Sequence, residues 1–246
     1  YSGSSGAVFV RLWAGDGQWS DAQGDRLSGF ENLIGSAFDD MLAGGPGANL
    51  IEGGAGNDLI NGHGGDDRIV GGAGADQMDG GAGVDTADYS GSSGAVFVRL
   101  WAGDGQWSDA QGDRLIRIES IVGSRYDDIL AGGTGDDVLI GGAGDDLLSG
   151  HAGNDRIVGG TGNDTLLGGP GNDVFVFADG DGIDQVTDFG IGDRLDVAAV
   201  SAIDGFEAFQ AAASEEAAGL RLVFDGGQVL IHGATLAAIE PDDLIW

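Results

Sequence analysis

The chain has 246 residues, 51 of them glycine, and a formal net charge of −31 from 41 acidic against 10 basic residues. All ten basic residues are arginine and cysteine is absent, so there is no disulfide framework and no electrostatic grip on nucleic acid or an anionic membrane surface. No stretch is long and apolar enough to cross a bilayer, and no N-terminal signal peptide is visible.

The first 34 residues read as a connector. AVFVRLW at 7–13 alternates and predicts a strand, and AGDGQWSDAQGD at 14–25 is turn chemistry rich in Gly and Asp. Residues 1–27 recur without change at 89–115, and SGFENLIGSAFDDMLAGG at 28–45 returns loosely as IRIESIVGSRYDDILAGG at 116–133. The long repeat is therefore 88 residues. The internal copy of SGSSG argues that this string is native. Residue 1 is Tyr, so the chain reads as a piece of a longer protein. Asp88 leads directly into Tyr89, so by the same repeat a nonapeptide is expected before Tyr1.

Residues 35–88 are six consecutive nine-residue units, G-G-x-G-x-D-x-U-x with U apolar, and residues 123–176 are six more. Glycines at positions 1, 2 and 4 permit tight loops and close approach of neighbouring backbones. Position 6 supplies one hard oxygen ligand per loop. Position 8 is apolar in every unit and reads as the single inward side chain of a short strand, with positions 7 and 9 facing outward. One unit is thus loop plus strand, and two make one turn of a flattened solenoid: an all-β parallel β-roll.

Loops of equal parity stack on one edge, which places the position-6 residues in columns. In the first block these are Asp40, Asp58, Asp76 and Asn49, Asp67, Asp85. In the second they are Asp128, Asp146, Asp164 and Asp137, Asp155, Asp173. Calcium takes six to eight oxygens, many from backbone carbonyls, and two gaps per column offer roughly eight sites. Eight ions would cancel about 16 charges, so the acidity reads as ligand supply. The competing reading, a disordered acidic tract, does not account for an apolar residue kept in register. Counting back from Gly35 puts Glu31 at a ligand position and Leu33 at an apolar one, as do Glu119 and Ile121 in the second copy, so Glu31 and Glu119 are candidate first rungs. His63 and His151 both occupy position 2 and read as loop variants of Gly, and His232 reads as surface.

Residues 177–246 lose the strict period. Asp184, Asp188 and Asp193 are candidates for a further ion or for turn caps. GFEAFQAAASEEAAG at 205–219 predicts a short helix ended by Gly219. LRLVFDGGQVLIHG at 220–233 predicts a hairpin turning at Asp225–Gly227, with Val229, Leu230 and Ile231 covering the open end of the roll. The organisation is therefore 1–34 connector, 35–88 first block, 89–122 repeated connector, 123–176 second block, and 177–246 C-terminal cap, to which the resemblance given next adds a secretion signal.

The nonapeptides resemble those of the RTX (repeats-in-toxin) proteins of Gram-negative bacteria. The run G-x-D-x-V-x-D-F-x-x-G-D-x-L-D-V at 182–197 is similar to the segment after the repeats in secreted RTX proteases, lipases and alginate epimerases. The ending PDDLIW is similar to tails read by type I secretion machinery. The resemblance implies a calcium-loaded roll, an export partner in the type I apparatus, and folding outside the cell or at its surface. Departures are Asn49, which lacks the ligand charge, and Ala87, which underfills the core. No His-Glu-x-x-His or Gly-x-Ser-x-Gly motif and no cysteine nucleophile occurs, so the segment reads as non-catalytic. Two alternatives stay open. One is an adhesion or carbohydrate-binding module using Trp13, Trp19, Trp101 and Trp107. The other is the C-terminal part of a secreted hydrolase, lyase or epimerase.

Overall fold

Each position-8 residue lies in a short strand and is buried, as the inward half of the alternation requires. The structure, a computed structural model, describes residues 1–246. It divides into two compact units, Tyr1–Ser124 and Arg125–Trp246.

In the first unit, successive nonapeptides alternate between two sheets. One sheet carries, in spatial order, Asp16–Gln18, Phe9–Arg11, Met41–Ala43, Leu59–Gly64, Gln77–Ala82, Arg114–Ile116, Asp104–Gln106 and Phe97–Arg99. The other carries Ser120–Val122, Thr86–Asp88, Arg68–Ala73, Leu50–Ala55 and Asn32–Ile34. Pairing between nonapeptide strands is parallel, at a spacing of 18 residues in sequence. That register stacks like on like. Val10, Leu42, Ile60, Met78 and Leu115 are successive partners in one sheet. Leu33, Ile51, Ile69, Ala87 and Ile121 are successive partners in the other. Each buried Leu or Ile is worth about 1.5–3 kcal/mol. Ala87 contributes far less at the same place.

The second unit repeats the scheme and closes it. Leu130, Leu148, Leu166, Val186 and Ile231 form one apolar column. Leu139, Ile157, Phe175, Leu195 and Leu244 form the other. Strands Gly219–Phe224 and Gly227–His232 form the expected hairpin, and the second of them pairs in parallel with Gly182–Val186. Val229 and Ile231 are buried there, while Leu230 is half-buried on the opposite face.

Several local expectations are corrected. The strand over 7–13 is confined to Phe9–Arg11. The stretch read as turn contains a strand, Asp16–Gln18, antiparallel to it, and a 3-10 turn at Ser20–Ala22. The helix stops at Ala212, because Ala213–Glu215 is drawn into a strand against Gly219–Phe224. The last residues are also more engaged than a free tail: Leu244–Ile245 pairs with Leu195–Asp196, and Leu244 is buried.

Candidate metal centres in the loop columns

The position-6 residues do stand in columns, tied by one recurring bond. The backbone N–H of Asp40 donates to Asp58 Oδ1 at 2.8 Å, and Asp58 N–H donates to Asp76 Oδ1 at 2.8 Å. Asn49 N–H donates to Asp67 Oδ1 at 2.7 Å, and Asp67 N–H to Asp85 Oδ1 at 2.9 Å. The second block repeats this from Asp128 to Asp146 to Asp164, and from Asp137 to Asp155 to Asp173. Each carboxylate thus spends one oxygen on the loop 18 residues upstream.

The other oxygen has no donor. Oδ2 of Asp58, Asp67, Asp76, Asp85, Asp146, Asp155, Asp164 and Asp173 is buried and unpartnered, eight atoms in all. Leaving such an atom unsatisfied costs about 1–3 kcal/mol, more when it is charged. Burial accordingly raises these acids: Asp58 to about 7 and Asp146 to about 8, with neighbouring carboxylates adding to the rise and the N–H bonds opposing it. Asp67, Asp155, Asp164 and Asp173 are pushed to about 6, also by burial.

Each orphan oxygen points into a cradle that only glycine leaves open. A Cβ on Gly53 would stand 2.2 Å from Asp58 Oδ2 and 2.5 Å from the carbonyl oxygen of Gly71, on the next loop of the column. The same pair of oxygens flanks Gly62, Gly141 and Gly150, from Asp67 and Gly80, Asp146 and Gly159, and Asp155 and Gly168. A carboxylate oxygen and a carbonyl oxygen converging on one point suit a hard cation such as calcium. No group of three or more acidic or histidine side chains converges anywhere. Beside the free Oδ2 atoms of Asp58, Asp67, Asp146 and Asp155, the second oxygen comes from the backbone.

The first rungs differ. Asp40 Oδ2 accepts the Ser36 N–H at 2.5 Å, and Asp137 Oδ2 accepts the Gly133 N–H at 2.5 Å. Asn49 Oδ1 accepts the Gly45 N–H at 2.6 Å, while its Nδ2 donates to the Glu31 carbonyl at 3.1 Å. An aspartate could not make that second bond, which gives Asn49 a structural reason. Toward the first block Glu31 offers this carbonyl, and its side chain is exposed. Glu119 is a last rung of the first block rather than a first rung of the second: its Oε2 accepts the Asp85 N–H at 2.9 Å. Asp184 and Asp193 extend the second block's columns, accepting from Asp164 and Asp173 at 3.0 and 2.9 Å. Asp188 instead caps a loop, through the N–H groups of Gly168 and Gly169.

Two features escaped the sequence reading. Asp113 in the connector accepts the Asp76 N–H at 2.8 Å, a fourth rung whose signal was the Asp-x-apolar spacing of Asp113 and Leu115. Position 5 forms an exposed second column running the other way. Asp39 Oδ1 accepts the Asn57 N–H at 2.7 Å, and Asp136 Oδ1 accepts the Asn154 N–H at 2.7 Å. Asp or Asn at position 5 in every unit of the second block was its signature. His63 and His151 hold φ of 76° and 74°, the backbone that glycine otherwise supplies at position 2. His63 packs against Trp13, with ring centroids 5.7 Å apart.

Residues 27–60, 34–69, 53–87, 122–157 and 149–184 match the family described as RTX calcium-binding nonapeptide repeat (4 copies), and together they cover half of the chain. The chain belongs to that RTX family. Its repeats are calcium-binding repeats. Among solved structures, the chain is similar to the extracellular lipase LipA of Serratia marcescens, at 24% identity and a TM-score of 0.34 over 92% of this chain and 42% of the lipase. It is also similar to the AlgE6R3 subunit of the Azotobacter vinelandii mannuronan C5-epimerase, at 33% identity and a TM-score of 0.41 over 50% of this chain and 80% of that one. The chain thus spans less than half the length of the lipase. No curated protein matches it.

Proposed function

We propose that the chain is a non-catalytic, calcium-loaded module of a larger secreted protein. It leaves the cell unfolded through a type I secretion apparatus and folds when extracellular calcium fills the eight cradles. The observation that carries this reading is the set of eight buried carboxylate oxygens without a donor. With a formal charge of −31, the metal-free roll works against both self-repulsion and desolvation. Extracellular calcium modules bind with Kd of about 10⁻⁴–10⁻³ M. At ten times Kd one site contributes about 1.4 kcal/mol, and eight independent sites about 11, comparable to the stability of a whole domain. An enzyme domain of hydrolase, lyase or epimerase type in the same protein is the activity such a module would support.

Circular dichroism of the purified chain tests this. Strand signal should be lost in excess chelator and return on adding calcium, with calorimetry giving about eight ions per chain. A strand-rich spectrum unchanged by chelator would refute the reading.

A second reading has its own observation. Trp13 and Trp19 are 54% and 46% exposed, and Trp101 and Trp107 are similarly open. Trp19 and Trp107 are displayed at φ of 63° and 65°, a costly backbone for a bulky residue. Such exposed rings suit an extracellular glycan. A glycan screen in calcium should find a ligand whose binding is lost in the Trp19→Ala, Trp107→Ala double variant. Equal binding by that variant would remove this reading.

A further inference from the structure

The cradle around Asp85 is assembled differently from the others. Inside a block, the carbonyl facing the aspartate belongs to the glycine of the next loop in the column: Gly71 for Asp58, Gly80 for Asp67, Gly159 for Asp146 and Gly168 for Asp155. The last aspartate of each column has no further nonapeptide to supply one. At Gly71, Gly159 and Gly168 a Cβ would stand 2.4, 2.2 and 2.2 Å from Oδ2 of Asp76, Asp164 and Asp173, with no carbonyl oxygen nearer than 3.2, 2.9 and 3.0 Å. At Gly80 it would stand 2.4 Å from Asp85 Oδ2 and 2.3 Å from the carbonyl oxygen of Arg117. Asp85 is fully buried, and its Oδ2 has no donor. One column end of four is thus completed by a carbonyl, and that carbonyl comes from the connector.

Arg117 is not a repeat residue: the family matches stop at 87 and resume at 122. Its φ is 50°, a costly backbone for a residue with a side chain. The equivalent residue of the other connector copy is Gly29, at φ 68°. An arginine standing where glycine makes the same turn must be kept for its side chain. Its guanidinium donates to both carboxylate oxygens of Asp79 at 2.6 Å. The flanking backbone is also fixed to the first block. Arg114–Ile116 pairs with Gln77–Asp79, and the N–H groups of Glu119 and Ser120 donate to the Asp85 carbonyl at 3.1 and 2.9 Å. The Arg117 carbonyl is therefore held over Gly80 from both sides. Its charge is spent on Asp79 and leaves the cradle to a cation.

We propose that the Arg117 carbonyl is a calcium ligand, so that the ion in the Asp85 cradle clasps the second connector to the first nonapeptide block. The pair with Asp79 positions that carbonyl. The clasp makes the order of residues 114–122 depend on one ion, which the nine-residue pattern does not encode. It also makes Asp85 a firmer site than Asp76, the other end of the same block. The inference rests on calcium filling the cradles.

The test is ion counting by calorimetry and hydrogen exchange in calcium, on the full chain and four variants. Asp85→Asn keeps an oxygen for the Asp67 N–H and should bind about one ion fewer. Amides of residues 114–122 should then exchange about tenfold faster. Asp58→Asn, in a cradle that shares no atom with the connector, should lose an ion and leave 114–122 protected. Arg117→Gly and Arg117→Pro both remove the ion pair but part over the carbonyl. Glycine tolerates the turn and should keep the ion, with the calcium needed to protect 114–122 raised about two- to fivefold. Proline, with φ locked near about −65°, turns the carbonyl away and should lose the ion although every carboxylate of the column remains. It also decides the matter if Asp85→Asn does not fold. A full complement of ions in Arg117→Pro would overturn the clasp. So would protection of 114–122 that survives loss of the Asp85 ion, or that falls equally in Asp58→Asn. A parent chain whose fold ignores chelator would overturn the calcium-driven reading as well; the other failures leave that reading standing.

Discussion

Asp58 uses its two oxygens differently. Oδ1 holds the loop above it through the Asp40 N–H, and Oδ2 lies buried without a donor. Replacing Asp58 with Asn keeps an oxygen for the Asp40 N–H and removes the buried charge. Two effects follow with opposite sign. In calcium the variant should show a higher folding midpoint and one ion fewer by calorimetry. In chelator its residual structure should be more stable than that of the parent, because a desolvated carboxylate is gone. Loss of stability in both conditions would mean that Asp58 only holds the loop. The same burial gives a pH dependence. Asp58 and Asp146 stand at about 7 and 8, against about 3.9 for an unfolded Asp. The metal-free fold therefore binds more protons than the unfolded chain, and its stability rises as pH falls from about 8 toward about 4. In chelator, strand signal should be stronger at pH 5 than at pH 8, and the calcium midpoint should be higher at the lower pH. A metal-free chain less structured at pH 5 than at pH 8 would contradict these assignments.

At the scale of a single loop and strand, glycine is required by contact at some positions and by habit at others. A Cβ at Gly53 meets the Gly71 carbonyl, which is backbone, and Asp58 Oδ2, whose carboxylate is held through Oδ1 by the Asp40 N–H. A Cβ at Gly47, also in the first block, meets nothing within 4 Å. Gly53→Ala should therefore raise the calcium midpoint, lower ion binding by about one, and cost roughly 1–3 kcal/mol by overpacking. Gly47→Ala should be close to neutral; equal effects from the two would show that the cradle is not the site. The strands and their inward residues were legible from the nine-residue period, because one apolar side chain per unit leaves a single register. The position-5 column was not read, because Asp, Asn, Ala and Val all occur there in the first block. Over 205–219 Ala and Glu favour helix locally, while tertiary pairing pulls Ala213–Glu215 into the sheet. An insertion between strands, residues 89–112, hides the place of Asp113 in the column.

Across the whole molecule, the ends of the columns decide what calcium can hold. We propose Asp242–Trp246 as an export signal, on the similarity of PDDLIW to type I tails. The fold adds a second role: Leu244 is buried on Leu195 and closes one apolar column. Removing Asp242–Trp246 should abolish export and also raise the calcium midpoint measurably, since a buried Leu is worth about 1.5–3 kcal/mol. It should not prevent folding, because both columns of the second block keep their strands up to Arg194–Ala199 and the hairpin Gly219–His232. Removing everything from Asp184 is a different injury. Asp184 and Asp193 would be lost as acceptors for Asp164 and Asp173, and Leu166 and Phe175 would lose Val186 and Leu195 from their columns. Two backbone donors and two apolar faces would open together at the last coil, which a solenoid tolerates poorly. That truncation should fail to reach full strand content in millimolar calcium, or do so only with a shallow transition. Secretion assays on the short deletion and calcium titrations of both separate the two roles. Normal export without Asp242–Trp246 would place the signal elsewhere, and an unchanged calcium dependence after the long truncation would show that residues 184–246 do not close the roll.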